Sequence, residues 1–483
     1  MIIEELERKH ELRVYPRSLT ELNGTTYFLA RGRNGKMLGV AGNADGFSGT
    51  REGSVLLCPL TTANAATLRS RLCWLSPQPL GLKKAAGCGD RLGLATPGHV
   101  RAIQKVSGIL PIFAQQSIRE NERTGRTPQQ VMDEAMWGVF QEGWRGSWGA
   151  DADHLKTTQD VDSCLQAGFT FYTVDPRDHV DNDAHTEPVE TLRGKFRALP
   201  WSELLDSADS MLARYVDQRF LIESFCLEFS EASVLRAACK YGRAIAHASK
   251  VFRHLSKAAA ERPFELEVSV DEAETPTSPL EHFFIASELR RMGVEWVSLA
   301  PRYVGRFEKG VDYIGDLELL DTDFARHAAI ARVMGPYKLS LHSGSDKFSV
   351  YPIAVRNAKN LVHLKTAGTS YLEALRVVAD VAPDFFRQFL SLAHERYDED
   401  KRTYHVSADS SKVPAADDLT DGQLAGLLDQ FDARQMFHVT FGSALDLYGE
   451  RLKAVLDSHE EDHYAALEKH FLRHLEPLTS QSG

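Results

Sequence analysis

The chain has 483 residues and a mass of 53.9 kDa, enough for two to three domains or for one large barrel with additions. With 43% hydrophobic and 25% charged residues and a mean hydropathy of −0.30, it has the composition of a globular enzyme, not of a disordered, collagen-like or membrane protein. Lys and Arg number 56 against 67 Asp and Glu, a net charge of −11, so the basic footprint that a phosphate backbone requires is missing and no nucleic acid partner is expected. No apolar run nears the roughly 18 to 20 residues of a spanning helix, and the opening MIIEELERKH lacks a basic and then apolar leader. Six scattered cysteines without CxxC spacing suggest neither a zinc ribbon nor a disulfide framework. A cytoplasmic protein with no membrane partner is the expectation.

Residues 1–110 carry short strand-like runs (TTYFLARG, SVLLCPL) and turn clusters (RNGK, NADG), which predict an N-terminal α/β elaboration. Their glycines, Gly32, Gly35, Gly39 and Gly42, do not form the GxGxxG turn of a doubly wound nucleotide fold. From 111 onward, β-rich apolar runs recur: PIFAQQ (111–116), SWGADADHL (147–155), FTFYTVD (169–175), FELEVSV (264–270), EWVSLAP (295–301), YKLSLHSG (337–344), NLVHLKTAG (360–368), TYHVSAD (403–409) and MFHVTFG (436–442). Helical patterns with start and stop signals lie between several of them. Thr127-Pro-Gln-Gln130 is a capping box before a helix stopped at Gly143, Thr157 caps a helix stopped at Gly168, and Ser370 with Glu373 predicts another capping box.

Strand, helix, strand repeats mean a parallel sheet. The predicted fold class is therefore α/β: a (β/α)8 TIM-like barrel over 111–455, the runs numbering one more than a barrel needs. Residues 176–260 are mostly helical and charged, too long for one crossover, and predict a helical insertion that caps the site. Residues 456–483 predict a closing C-terminal helix.

Active sites of such barrels lie at the C-terminal ends of the strands. There the sequence places Asp153 and His154, then Glu265, Glu267, Asp271 and Glu272, then His342, then His363 and Lys365, with His405 and His438 on later runs. Imidazole with carboxylate suits Zn, Mn, Ni, Co or Fe with open positions for a substrate's vicinal oxygens. Glu267 shares a strand face with Glu265, Ser269 and Asp271, so it is either a general acid or base or part of a structural salt bridge. The loops Ser343–Lys347 and Lys365–Thr369 put hydroxyls, glycines and a lysine ahead of helices, which suggests that Lys347 and Lys365 bind a substrate anion.

The runs GADADHLKT, LAPRYVGRFEKGVDYIGD, LSLHSGSDKFSVYP, HLKTAGTSYLEALR and HVTFG resemble the tagaturonate/fructuronate epimerase family over about 110–445. PIFAQQSIREN and the Asp153-His154 strand end are also similar, more distantly, to the barrel of tagatose-bisphosphate aldolase accessory subunits. The family resemblance implies a metal-dependent isomerase acting on a keto-uronate, or on the neutral ketohexoses. It implies Asp153 as proton acceptor, Glu267 as proton donor, and His154, Glu308 and His342 as metal ligands, with His363 a rival to Glu308. The inverted carbinol is not α to the ketone, so retro-aldol cleavage and re-addition, or a hydride shift, must replace simple enolisation. The rivals are a class II-type aldolase that releases its fragments and a non-catalytic accessory subunit. Nothing in the sequence decides between a monomer and a homo-oligomer.

Overall fold

The computed structural model describes residues 7–8, 11–33 and 35–479. Two of the helix signals are realised as read. Thr127 and Gln130 form a reciprocal capping box on the helix Pro128–Gln141, and Thr157 with Asp160 forms one on Thr158–Ala167, which ends at left-handed Gly168 (φ 90°). The box at Ser370 is not formed. The helix Thr369–Val381 is capped two residues earlier, at left-handed Gly368, because the Ser370 hydroxyl donates to the Gly89 carbonyl and lies 2.9 Å from His99 Nε2.

Eight parallel strands close into a barrel: β1 Ala85–Cys88, β2 Leu110–Ser117, β3 Gly149–Leu155, β4 Phe171–Val174, β5 Glu265–Ser269, β6 Ser298–Ala300, β7 Lys338–Leu341 and β8 Val362–Thr366. Seven of these match the predicted runs. The first, β1, lies before 111, so the barrel begins inside the segment expected to be an elaboration. Its Ala-Ala-Gly-Cys sequence is small because the barrel lumen leaves no room there: a Cβ on Gly87 would come 2.0 Å from Gln115 Oε1. The runs 403–409 and 436–442 are not strands. The former is irregular with short 3-10 turns, and the latter lies on the helices Phe431–Val439 and Phe441–Ser458.

Ahead of the barrel, residues 13–59 fold into a six-stranded antiparallel sheet centred on Thr25–Gly32 and Gly35–Ala41. After β8 the helices Pro383–Asp400, Phe431–Val439 and Phe441–Ser458 gather their own apolar core around Phe386, Phe389, Leu428, Met436 and Phe437. Between β4 and β5, residues 176–260 form short helices, a hairpin of Arg219–Ile222 with Phe225–Glu228, and the long helix Glu231–Ala259. That helix packs against its neighbours Thr158–Ala167 and Pro279–Arg291 in the outer ring. The closing helix, Glu460–Thr479, crosses the helix Thr96–Ile103 so closely that a Cβ on Gly98 would meet Leu467 Cβ at 2.6 Å.

Candidate active site

Alternation along β3 should send Asp153 and His154 to opposite faces. A bulge prevents it. Ala152 pairs with Tyr172 but Leu155 with Val174, so two residues of β3 oppose Thr173 alone, and His154 takes up the difference with φ 55°. A left-handed backbone at a non-glycine residue costs of order 1–3 kcal/mol, a strain found where geometry serves a site. Its effect here is to aim both side chains at the barrel mouth.

His342 follows β7 directly, and its ring centroid lies 4.4 Å from that of His154. Each imidazole is held by one nitrogen. His154 Nδ1 donates to Asp175 Oδ2 at 3.0 Å. His342 Nδ1 lies 3.0 Å from the Ser269 hydroxyl, which itself donates to Asp271, so this nitrogen is the donor. The two Nε2 atoms point at carboxylates: Asp153 Oδ1 stands 3.2 Å from His342 Nε2, and Asp153 Oδ2 and Glu272 Oε1 stand 4.0 and 3.6 Å from His154 Nε2. Ligand atoms of Asp153, His154 and His342 all lie within 4.8 Å of one another. Converging lone pairs need a cation between them, and two imidazoles with a carboxylate suit a divalent one. The local field is negative: burial pulls His342 down, but Asp271 and Asp153 push it up to about 10, so without a metal its Nε2 carries a proton toward Asp153 that a bound cation would displace.

Beneath this group, the lumen is charged where most barrels are packed with branched apolar side chains. Lys365 Nζ sits 2.8 Å from both Asp151 and Asp153, 2.5 Å from Thr173 Oγ1 and 3.2 Å from Glu267. Glu267 is fully buried and also bonded to His363 Nδ1 at 3.1 Å. Burial raises the Asp153 and Glu267 carboxyls, but Lys365 and the imidazoles outweigh it and hold both well below the usual carboxylate range. Asp151 takes the opposite outcome, pushed up to about 6 by burial, with Asp153 and Glu267 adding to it against Lys365. Glu265, one layer deeper, accepts from the Leu80 and Gly81 amides and closes the barrel floor. Of the acidic strand face, Glu267 therefore belongs to the site and Glu265 to the scaffold.

Two expected residues lie elsewhere. Lys347 Nζ donates to the carbonyls of Glu308, Val311 and Ser345 at 2.6–2.9 Å and is almost wholly buried, so it clamps the loop and has no donor left for an anion. Glu308 Oε2 accepts from Ser407 N, Ser407 Oγ and Gln435 Nε2 at 2.7–2.9 Å, outside the converging group. Its rival His363 also stays outside, one layer below, with its ring edge-on to Phe171. Lys365 meets carboxylates rather than open space.

The chamber over the site is walled by Arg91, Gln115, Lys309, Tyr404 and His438. The roof thus comes from the loop after β6 and from the helical region after β8, not from the 176–260 insertion, of which Arg177 alone reaches the adjoining cleft. Sequence reasoning missed Lys309, Arg91 and Tyr404 because nothing in their local pattern marks the direction of the side chain. A second group, Asp346, His470 and His474, is hydrogen-bonded within itself: Asp346 N donates to His474 Nε2 at 2.9 Å, and His470 sits between Asp346 and Glu373.

The family model described as tagaturonate epimerase matches residues 15–478. The chain belongs to that family. This epimerase is 44% identical over 474 residues to the tagaturonate/fructuronate epimerase of Thermotoga maritima, covering 96% of each chain. It is also similar to crystal structures of fructuronate-tagaturonate epimerase UxaE from Cohnella laeviribosi. The native form has 37% identity and a TM-score of 0.93, over 99% of this chain and 98% of that one; a form complexed with two glycerols has a TM-score of 0.94. Among the described residues of the epimerase, no helix is long and apolar enough to cross a membrane.

Proposed function

We propose that this epimerase interconverts D-tagaturonate and D-fructuronate, in a metal-dependent reaction. The observation that carries the reading is the pair of buried carboxylates, Asp153 and Glu267, joined through Lys365 directly beside the converging His154 and His342. His154 and His342, with the edge of Asp153, would hold a divalent cation (Mn, Co, Ni, Zn or Fe), which when bound supplies Lewis acidity toward the substrate's ketone and adjacent hydroxyl oxygens. Glu308 would join them only by leaving Ser407 and Gln435, which hold Oε2, and Arg306, which pairs with Oε1.

Asp153, ionised at rest, takes the proton of the carbinol hydroxyl to be inverted. The bond from that carbon to its neighbour on the ketone side then breaks by retro-aldol cleavage. The aldehyde so formed turns its other face and the bond closes again. Glu267 returns the proton, and Lys365, within reach of both carboxylates, keeps it inside the network, so the cycle is proton-neutral. The chamber walls retain the aldehyde and exclude water.

The test is to incubate the pure metal-loaded protein with fructuronate and resolve the products by chromatography. Tagaturonate without smaller fragments supports the epimerase. Three-carbon products would indicate an aldolase, and no turnover an accessory role.

A further inference from the structure

With Lys347 enclosed by carbonyls, the anionic end of a keto-uronate needs another partner. Lys309 meets the requirements. Its Nζ accepts no countercharge: its one hydrogen bond is to Ser343 Oγ, 2.9 Å away, and no carboxylate of a described residue lies within ion-pair distance. Ser343 directly follows His342, so this bond fixes the ammonium beside the converging group. Lys309 also lines two adjoining spaces at once: the inner chamber with Asp153, His154 and His342, and the outer cleft.

Of the other cations nearby, Arg91, Arg177 and Arg119 pair with carboxylates, and Arg302 donates to the Asp271 carbonyl and lines the outer cleft but not the inner chamber. Arg91 pairs with Glu120 at 2.8 Å and lies over the Phe441 ring. Arg177 is held by Asp175 and Glu272, and Arg119 reaches Glu272 at 3.4 Å. The outer cleft as a whole sets Arg119, Arg177, Arg302 and Lys309 against Asp271 and Glu272, an excess of positive charge in a chain of net charge −11. A local field of that sign gathers anions.

We infer that Lys309, oriented by Ser343, binds the substrate's carboxylate and makes the site selective for keto-uronates over neutral ketohexoses. The inference rests on the reading of the site as a keto-uronate epimerase. In such a substrate one carbinol separates the carboxylate from the inverted carbon, so the anion must lie close to Asp153, at the wall where Lys309 stands.

The test uses an inert pair of the same length, gluconate and glucitol, titrated calorimetrically into the Mn-loaded protein. The wild type should prefer the acid, and Lys309→Met should shrink the ratio of the two dissociation constants about ten- to a hundredfold, the loss expected for one charge-assisted hydrogen bond. Lys309→Arg, which keeps the charge, should restore part of the ratio, so a collapsed fold cannot be mistaken for the effect. An unchanged ratio in Lys309→Met overturns the assignment of Lys309. Failure of the wild type to epimerise fructuronate overturns the proposed substrate instead, and is read in a separate assay.

Discussion

Lys365 Nζ stands 2.8 Å from Asp153 Oδ1, and the same ammonium also touches Asp151 and Glu267. One buried ammonium thus bridges three buried carboxylates. Lys365→Met should cost about 3–5 kcal/mol of folding free energy, the usual penalty for stranding buried charge, measured by urea unfolding at neutral pH. A loss under about 1 kcal/mol would mean that the lumen rearranges freely around its carboxylates.

Asp153→Asn and Glu267→Gln keep the shape of the site and remove the proton-transfer groups. Turnover in each should fall about 10²–10⁴-fold. Metal content measured on the same samples separates the roles: stoichiometric loss of metal in either variant makes that residue a ligand first.

Chelation by EDTA should abolish turnover, and Mn, Co, Ni, Zn or Fe should restore it. Asp175 fixes His154 through Nδ1, so Asp175→Asn should weaken metal binding about 10- to 100-fold, as loss of a ligand's supporting carboxylate does. Glu308→Gln should retain the metal, since its carboxylate is committed to Ser407 and Gln435. Equilibrium dialysis against graded free metal distinguishes the two variants.

Asp346 offers a pH test remote from the reacting group. Burial raises its carboxyl, but Arg434 and His470 hold it well below the usual carboxylate range. A depressed folded pKa gives stability that is present above the unfolded value near ~4 and lost as pH falls below it. The wild type should therefore lose stability steeply below about pH 4. Asp346→Asn should be about 3–5 kcal/mol less stable at pH 7 and should flatten that acid limb, as thermal unfolding across pH will show.

Seven strands and the barrel class were legible because β-branched, apolar runs alternate with capped helices. The misreadings share a cause: local pattern carries no information about distant partners. Met436, Phe437 and Val439 look strand-like, yet they serve the apolar core of the helices after β8. Asp153 and His154 were legible as a pair at a strand end, but their convergence depends on a bulge against Thr173 that no spacing in β3 announces. Lys347 stands out in sequence because its glycine- and serine-rich turn precedes a helix, whereas no pattern marks Lys309. Only three-dimensional placement shows that backbone carbonyls consume one ammonium and leave the other free of countercharge.

The pairing of β8 with β1 joins Val362–Thr366 to Ala85–Cys88, across 274 residues counted from Cys88 to Val362. On a ribosome adding about 5–20 residues per second, one edge of β1 waits roughly 15 to 55 seconds for its neighbour. An exposed strand of valines or isoleucines would be a template for mispairing throughout that delay. Ala-Ala-Gly-Cys offers little side chain to grip and a glycine that weakens any accidental ladder. The plainness that hides β1 from inspection of the sequence is thus also what lets a nascent chain hold its seam open safely until the barrel can shut.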